Sequence, residues 1–229
     1  MQKKVILKFR MRIIVVADIH GDDERFRKAL KSVSLKKADK LVLLGDLIDR
    51  GKNSKNVLDT LLLLKQNGFE NITYIRGNHE QMLLDSVEND EKEYIWIKNG
   101  GDKTLKSFRV NYANQIPEIY INLLKSSILY YELQNYVFVH AGLNFELQNP
   151  LEDSHSLMWI RNISIEKYQK SKFSSKIIIH GHTPCERFKI LEDFRNSNII
   201  NFDNGIYLSG DDFGKLTVAD LTNNKILFI

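Results

Sequence analysis

The residues with the plainest chemistry are Gly45-Asp46-Leu47-Ile48-Asp49-Arg50-Gly51. They follow Lys40-Leu41-Val42-Leu43-Leu44, an apolar run of strand length. A glycine turns the chain there, and two carboxylates, an arginine and a second glycine come within a few residues. Charges at the end of a buried strand are costly unless something pairs them. Metal ions and a phosphate would do so. Asp46 has two oxygens and can bridge two cations. Asp49 lies too far along the turn to be forced onto the same ions and suits a supporting carboxylate. Arg50 offers a planar fork that matches phosphate oxygens. Taken alone, the stretch is also compatible with a solvated turn carrying an incidental Asp–Arg pair.

The same device recurs along the chain. Arg12-Ile13-Ile14-Val15-Val16-Ala17 ends in Asp18-Ile19-His20-Gly21. Residues i and i+2 of an extended chain point to one side, so Asp18 and His20 can reach one ion. Asn71 to Ile75 ends in Arg76-Gly77-Asn78-His79-Glu80. Tyr136-Val137-Phe138-Val139 ends in His140-Ala141-Gly142, and Lys176-Ile177-Ile178-Ile179 ends in His180-Gly181-His182-Thr183. Five of the six histidines fall at these strand ends, and only His155 lies elsewhere. Scattered surface histidines would not group this way. Oxygen and imidazole ligands without thiolates suit Mn, Fe or Zn. Cys185 is the single cysteine, which excludes an intrachain disulfide and a cysteine-based metal site.

These ends must be held by a scaffold. Residues 22–33 and 57–65 read as helices between the strands, and strands alternating with helices predict a mostly parallel sheet in the first half. Ligands of such sheets lie outside the strands' carboxyl ends. The 229 residues contain three prolines, and no linker, repeat or low-complexity segment interrupts them, so a single domain over 1–229 is expected. A 43% hydrophobic fraction supports a sizeable core. A net charge of +4 suits anionic substrates but is too weak to argue for a specific nucleic-acid partner. Lys8, Arg10 and Arg12 interrupt any signal-peptide core, and no run spans a bilayer. A soluble, cytoplasmic protein without a membrane partner is the expectation, its oligomeric state open. Residues 1–10 could be an extra edge strand, with Met11 an internal start. Residues 81–135 read as a helical, substrate-side insert. Its Trp96, Asn99-Gly100-Gly101, Phe108, Tyr112, Tyr120, Tyr130 and Tyr131 could grip a substrate, although such aromatics are more often core. Lys167, Lys170 and Lys172 could hold extra phosphates, although scattered lysines are usually solvated.

Taken jointly, Asp18-x-His20, Gly45-Asp46-x-x-Asp49-Arg50-Gly51, Gly77-Asn78-His79-Glu80, His140-Ala141-Gly142 and Gly181-His182-Thr183 resemble the calcineurin-like metallophosphoesterases. Within them, the spacing is similar to the phosphoprotein phosphatase branch, above all the small bacterial and phage-type serine/threonine phosphatases and the symmetrical diadenosine tetraphosphatases. The tail Asn201-Phe202-Asp203-Asn204-Gly205, with a hairpin from Lys215-Leu216-Thr217-Val218 to Lys225-Ile226-Leu227-Phe228, is also similar. The resemblance implies an α/β fold, a four-layer αββα sandwich of two mixed sheets flanked by helices. It implies a first metal on Asp18, His20 and Asp46, and a second on Asp46, Asn78, His140 and His182. It makes His79 the general acid, Asp49 the carboxylate that orients it, and Arg50 and Arg161 the phosphate-binding arginines. Pro184 stands where many metallophosphoesterases carry a further histidine ligand, which agrees with the phosphoprotein branch and leaves the first metal fewer protein ligands. His180 is not a family ligand and reads as supporting or structural.

The implied reaction is hydrolysis of a phosphate monoester by direct attack of a metal-bridging hydroxide. Two cations, most simply Mn, would neutralise the phosphoryl oxygens and lower the pKa of the attacking water. The expected partner is a phosphoprotein or phosphopeptide, with a dinucleoside polyphosphate as the alternative substrate. A nuclease or a non-catalytic binding scaffold fits less well, because the whole ligand set, His79, Asp49 and Arg50 are all present.

Overall fold

The computed structural model describes residues 11–229. The edge strand considered for residues 1–10 lies outside the described residues. Two sheets form the centre. The first has the order β3-β2-β1-β8-β9, built from Ile72–Tyr74, Lys40–Leu43, Ile13–Val16, Thr217–Asp220 and Lys225–Phe228 in that order. Here β1, β2 and β3 are parallel, while β8 runs antiparallel to β1 and β9 antiparallel to β8. The second has the order β4-β5-β6-β7, built from Tyr130–Leu133, Tyr136–Val139, Ile177–His180 and Ile199–Asn201. In it β5, β6 and β7 are parallel and β4 is antiparallel to β5.

Side-chain alternation explains the layering. Ile13, Val15 and Ala17 join Val42, Leu44, Phe138, Ile179, Ile200 and Ala219 in a core between the sheets. Ile14 and Val16 face the other way, toward Phe26, Ala29, Val57, Leu58 and Leu61. Successive residues of a strand point to opposite faces, so a strand that is apolar throughout must be covered on both. Helices α1 (Asp23–Ser32) and α2 (Ser54–Gln66) supply that cover. On the far side of the second sheet, Val137, Val139, Ile178 and Ile199 pack on Leu157, Tyr168 and Phe173. The result is two mixed sheets flanked by helices, the α/β sandwich that the sequence motifs imply.

The helical segment after β3 runs through α3 (Asn78–Glu88), α4 (Asp90–Trp96), a π turn (Ile97–Gly101), α5 (Asp102–Phe108) and α6 (Glu118–Lys125). It is shorter than the 81–135 read from sequence. Tyr130–Leu133 is a strand at the edge of the second sheet, where it pairs with β5. Trp96 and Tyr120 are core, as expected for most aromatics of this segment, whereas Tyr112 is exposed. After β5 come α7 (Ser154–Trp159) and α8 (Ile165–Lys170), and α9 (Arg187–Asn196) follows β6.

Candidate active site

All five polar strand ends open on one side of the sandwich. Asp18 and His20 follow β1, Asp46 follows β2, Asn78 and His79 open α3 just after β3, His140 follows β5, and His182 lies two residues past β6. Asp18, His20, Asp46, Asn78, His79, His140 and His182 are all buried. The turn at Gly45 is possible only without a side chain. Its φ is +100°, and a Cβ would come within 2.6 Å of Gly77 N and 2.9 Å of His140 Nδ1.

Two groups of ligand atoms form around one carboxylate. Asp46, His140 and His182 make one, and His20, Asp46 and His79 the other. Asp46 is therefore shared, as its reading as a bridge requires. His140 Nε2 lies 3.4 Å from Asp46 Oδ1 and 3.0 Å from Asn78 Oδ1, and His182 Nδ1 lies 2.9 Å from the same Asn78 oxygen. On the other side, His20 Nε2 is 3.6 Å and His79 Nε2 3.9 Å from Asp46 Oδ2. The grouping differs from the expected one, with His79 appearing where Asp18 was read. Asp18 is nevertheless at the site: its Oδ2 accepts the His182 backbone N–H at 3.0 Å, and its Oδ1 has no partner among the described residues.

Whether these residues suit divalent cations can be judged from the ring nitrogens. His140 Nδ1–H donates to the Leu44 carbonyl at 2.8 Å, and His20 Nδ1–H donates to the Ile48 carbonyl at 3.1 Å. Each bond fixes a tautomer whose Nε2 lone pair faces inward. Burial pushes the pKa of both imidazoles down and keeps them neutral. Burial, then the neighbouring His140, with a smaller contribution from Arg161, brings His182 down to about 3. The Asp46 carboxyl moves below its ordinary range: burial opposes ionisation, but His140, His79, His20 and His182 surround it. Neutral imidazole lone pairs, carboxylates and an amide oxygen converge in a buried space where Asp18 Oδ1 and His182 Nε2 are unsatisfied among the described residues. That donor set fits two divalent ions.

Arg50 lies against this cluster. Its Nη1–H donates to His20 Nε2 at 2.8 Å, and its guanidinium stacks on the Tyr207 ring, 4.2 Å from the centroid. The Tyr207 ring also meets His20 edge-on, with centroids 5.0 Å apart. A cavity of about 350 Å³ opens here, lined among others by His20, Arg50, Lys52, Asn53 and Tyr207. Arg161 is exposed and close enough to His182 for its charge to bear on that imidazole. Lys167 pairs with Glu146 at 2.9 Å, Lys170 pairs with Glu166, and Lys172 Nζ donates to Asn149 Oδ1 at 3.3 Å. These lysines are solvated and already partnered. His180 ends β6, and burial brings its pKa down to about 4.

The His79 imidazole holds Asp49 through Nδ1–H, 2.8 Å from Asp49 Oδ2, and its Nε2 has no partner among the described residues. Burial would depress its pKa, but the Asp46 and Asp49 carboxylates outweigh that and raise it. Both carboxylates favour the charged form of the ring.

The profile described as calcineurin-like phosphoesterase matches residues 11–212. The chain belongs to this family. As a phosphoesterase it is a phosphate-ester hydrolase. It is similar to serine/threonine-protein phosphatase 1 of Salmonella typhimurium, with 32% identity over 90% of this chain and 89% of that protein. It is also similar to serine/threonine-protein phosphatase 2 of Escherichia coli, with 42% identity over 39% of this chain and 38% of that protein. A solved structure provisionally described as a diadenosine tetraphosphatase superposes with a TM-score of 0.66 and 22% identity, covering 97% of this phosphoesterase and 94% of that chain. No described helix is long and apolar enough to cross a membrane.

Sequence reasoning missed several groups that shape the site. Glu80 is fully buried and accepts backbone N–H bonds from Asp46 at 2.8 Å, Leu47 at 2.7 Å and Gly77 at 2.9 Å. It fastens the Asp46 turn to the start of α3. Burial and the neighbouring Asp46 raise its pKa. Asp203, also buried, leaves Oδ2 without a partner among the described residues and pushes the Asp18 pKa further up, after burial itself. Glu80 closes the Gly-Asn-His-Glu string, and Asp203 sits in the quoted tail motif, so both had a sequence signal without a role. Tyr207 had none.

Proposed function

We propose that this phosphoesterase hydrolyses phosphate monoesters, serine/threonine phosphoproteins foremost, at a dinuclear centre. The reading rests above all on Asp46, shared between two groups of buried ligand atoms. Asp18, His20 and Asp46 would hold one ion, and Asp46, Asn78, His140 and His182 the other. Manganese is our choice of metal, with Fe or Zn compatible with the same donors. When bound, two divalent ions supply charge neutralisation at the phosphoryl group and an activated water. The chain's own residues do the rest. Arg50 turns from His20 toward the phosphate and, with Arg161, holds its oxygens in place for in-line displacement. His79 gives its Nε2 proton to the departing oxygen, with Asp49 fixing the ring.

The cavity beside Arg50, at about 350 Å³, has room for a phosphorylated side chain. The Salmonella relative is named for the same substrate class. We place the enzyme in the cytoplasm, with the helical segment after β3 bordering its substrate in a single domain. The test is kcat/KM for a phosphoserine peptide against diadenosine tetraphosphate, with Mn²⁺ present. The peptide should win. A preference for the dinucleotide by about a hundredfold, some 2.7 kcal/mol of transition-state binding, overturns the substrate assignment.

A further inference from the structure

Asp49 does more than meet His79. Its two carboxylate oxygens accept from three donors, one each in α3, α4 and α5. Trp96 Nε1–H reaches Asp49 Oδ2 at 2.8 Å, the same oxygen that His79 Nδ1–H contacts at 2.8 Å. Thr104 Oγ1–H reaches Asp49 Oδ1 at 2.6 Å. Thr104 Oγ1 also accepts the Asp49 backbone N–H at 3.0 Å and lies 2.9 Å from Ser54 Oγ. Trp96, Thr104, Ser54, Asp49 and His79 are all wholly buried. The π turn between Trp96 and Thr104 adds one more bond, from the Arg50 backbone N–H to the Gly100 carbonyl at 3.1 Å.

A carboxylate held by one hydrogen bond can rotate about its last torsion and carry the imidazole with it. One held by three donors from three different elements cannot. Trp96 has one polar hydrogen and Thr104 has one, and both are spent on the carboxylate that orients His79. A packing role alone would not require either donor. We propose that Trp96 and Thr104 are positioning residues for proton transfer, acting through Asp49 to keep the His79 Nε2 aimed at the departing oxygen. The helical segment is then part of the catalytic apparatus. This inference rests on the reading of His79 as general acid.

The experiment compares four variants with the parent on two substrates. A phosphoserine peptide has an alkoxide leaving group that needs a proton, and p-nitrophenyl phosphate has one that does not. His79→Asn tests the underlying reading. Trp96→Phe removes the indole N–H and keeps most of the ring. Thr104→Val removes the hydroxyl at equal volume, while Ser54 Oγ, 3.1 Å from the Asp49 N–H, still satisfies that group. Thr104→Ser restores the hydroxyl. Trp96→Phe and Thr104→Val should each lose about 10- to 100-fold in kcat on the peptide, the range seen when the partner behind a functional side chain is lost. On p-nitrophenyl phosphate the loss should stay within about threefold, with KM unchanged on both and Thr104→Ser close to the parent. If His79→Asn loses equally on both substrates, the general-acid reading falls, and this inference falls with it. If His79→Asn discriminates between the substrates while Trp96→Phe and Thr104→Val do not, or if Thr104→Ser behaves as Thr104→Val, only the inference is overturned. Should Trp96→Phe fail to fold, the Val/Ser pair at Thr104 decides the matter. A readout free of turnover is the proton resonance of the Trp96 indole N–H, assigned by its loss in Trp96→Phe. It should move upfield in Asp49→Asn, and an unmoved resonance overturns the clamp.

Discussion

At the amino ends of β1 and β2, Arg12 lies between two carboxylates. Its Nε–H donates to Asp39 Oδ1 at 3.1 Å, and its Nη1 is 3.6 Å from Asp220 Oδ2. Asp39 also accepts the Lys36 backbone N–H at 2.7 Å, and Asp220 accepts from Asn223. At the carboxyl ends of the same strands stand Asp18, His20 and Asp46, equally rich in charge, with Asp18 Oδ1 and His182 Nε2 unsatisfied among the described residues. The backbone differs as well. Nine non-glycine described residues have positive φ, and five of them are His20, Asp46, Asp49, Arg50 and His182. Such conformations cost roughly 1–3 kcal/mol each and persist only where the surroundings enforce them. One end closes its charges among its own residues, and a variant there should change stability alone. The other end is built toward something from outside, and a variant there should change ligand binding and turnover.

The sharpest break of this contrast is Asp46→Asn. It should release both metal ions and bring hydrolysis close to background, which metal analysis after dialysis would detect. A variant that keeps two tightly held ions and normal turnover would dissolve the difference between the ends. His79→Asn should keep both ions yet lower kcat by about 10²–10⁴, the usual reach of a positioned acid. Glu80→Gln tests the boundary between the two behaviours. It turns an amide N–H₂ toward backbone N–H donors and should cost about 1–3 kcal/mol by leaving at least one of them unpaired. Denaturant unfolding of the metal-free protein would measure this, and a loss below about 1 kcal/mol would free Glu80 from its fastening role.

The smallest effect belongs to the closed end. Burial works against the Asp39 carboxylate, but the Arg12 guanidinium and the Lys36 N–H bring its pKa below the ordinary value. A depressed folded-state pKa gives stability that is present above the unfolded value, about 3.9, and lost as pH falls through the folded one. Asp39→Asn should therefore cost about 1 kcal/mol at pH 7, and the gap should close below about pH 4. Turnover at pH 7 should not change. Unfolding curves at both pH values with activity alongside would check it.

Much of this was legible in the chain because the chemistry sits directly after each strand. Asp18, His20, Asp46, Asn78, His140 and His182 each follow an apolar run, and the runs alone required strands covered on both faces. Other features gave no local signal. Strand β7 is only three residues, Ile199–Asn201, too short for any period to show. Strand β4 alternates exposed and half-buried residues as an edge strand does, but its tyrosines read as part of the helical segment before it. Trp96 at helical spacing looks like any core aromatic. That its N–H meets a carboxylate 47 positions earlier is a fact of tertiary structure alone.

The bonds that tie the site together also join distant parts of the chain. His140 donates to the Leu44 carbonyl 96 residues earlier, and the His182 N–H reaches Asp18 across 164 residues. During synthesis, Asp18, His20, Asp46 and Asn78 leave the ribosome well before the histidines of the second sheet. His182 follows Asn78 by 104 residues, which at 5–20 residues per second is roughly 5–20 s. Until His140 and His182 are made, Asp46 has only His20 and His79 beside it, and the first sheet still lacks β8 and β9. The stage of the protein's life most exposed to the wrong cation, or to a chaperone, is therefore before the last third of the chain has been made.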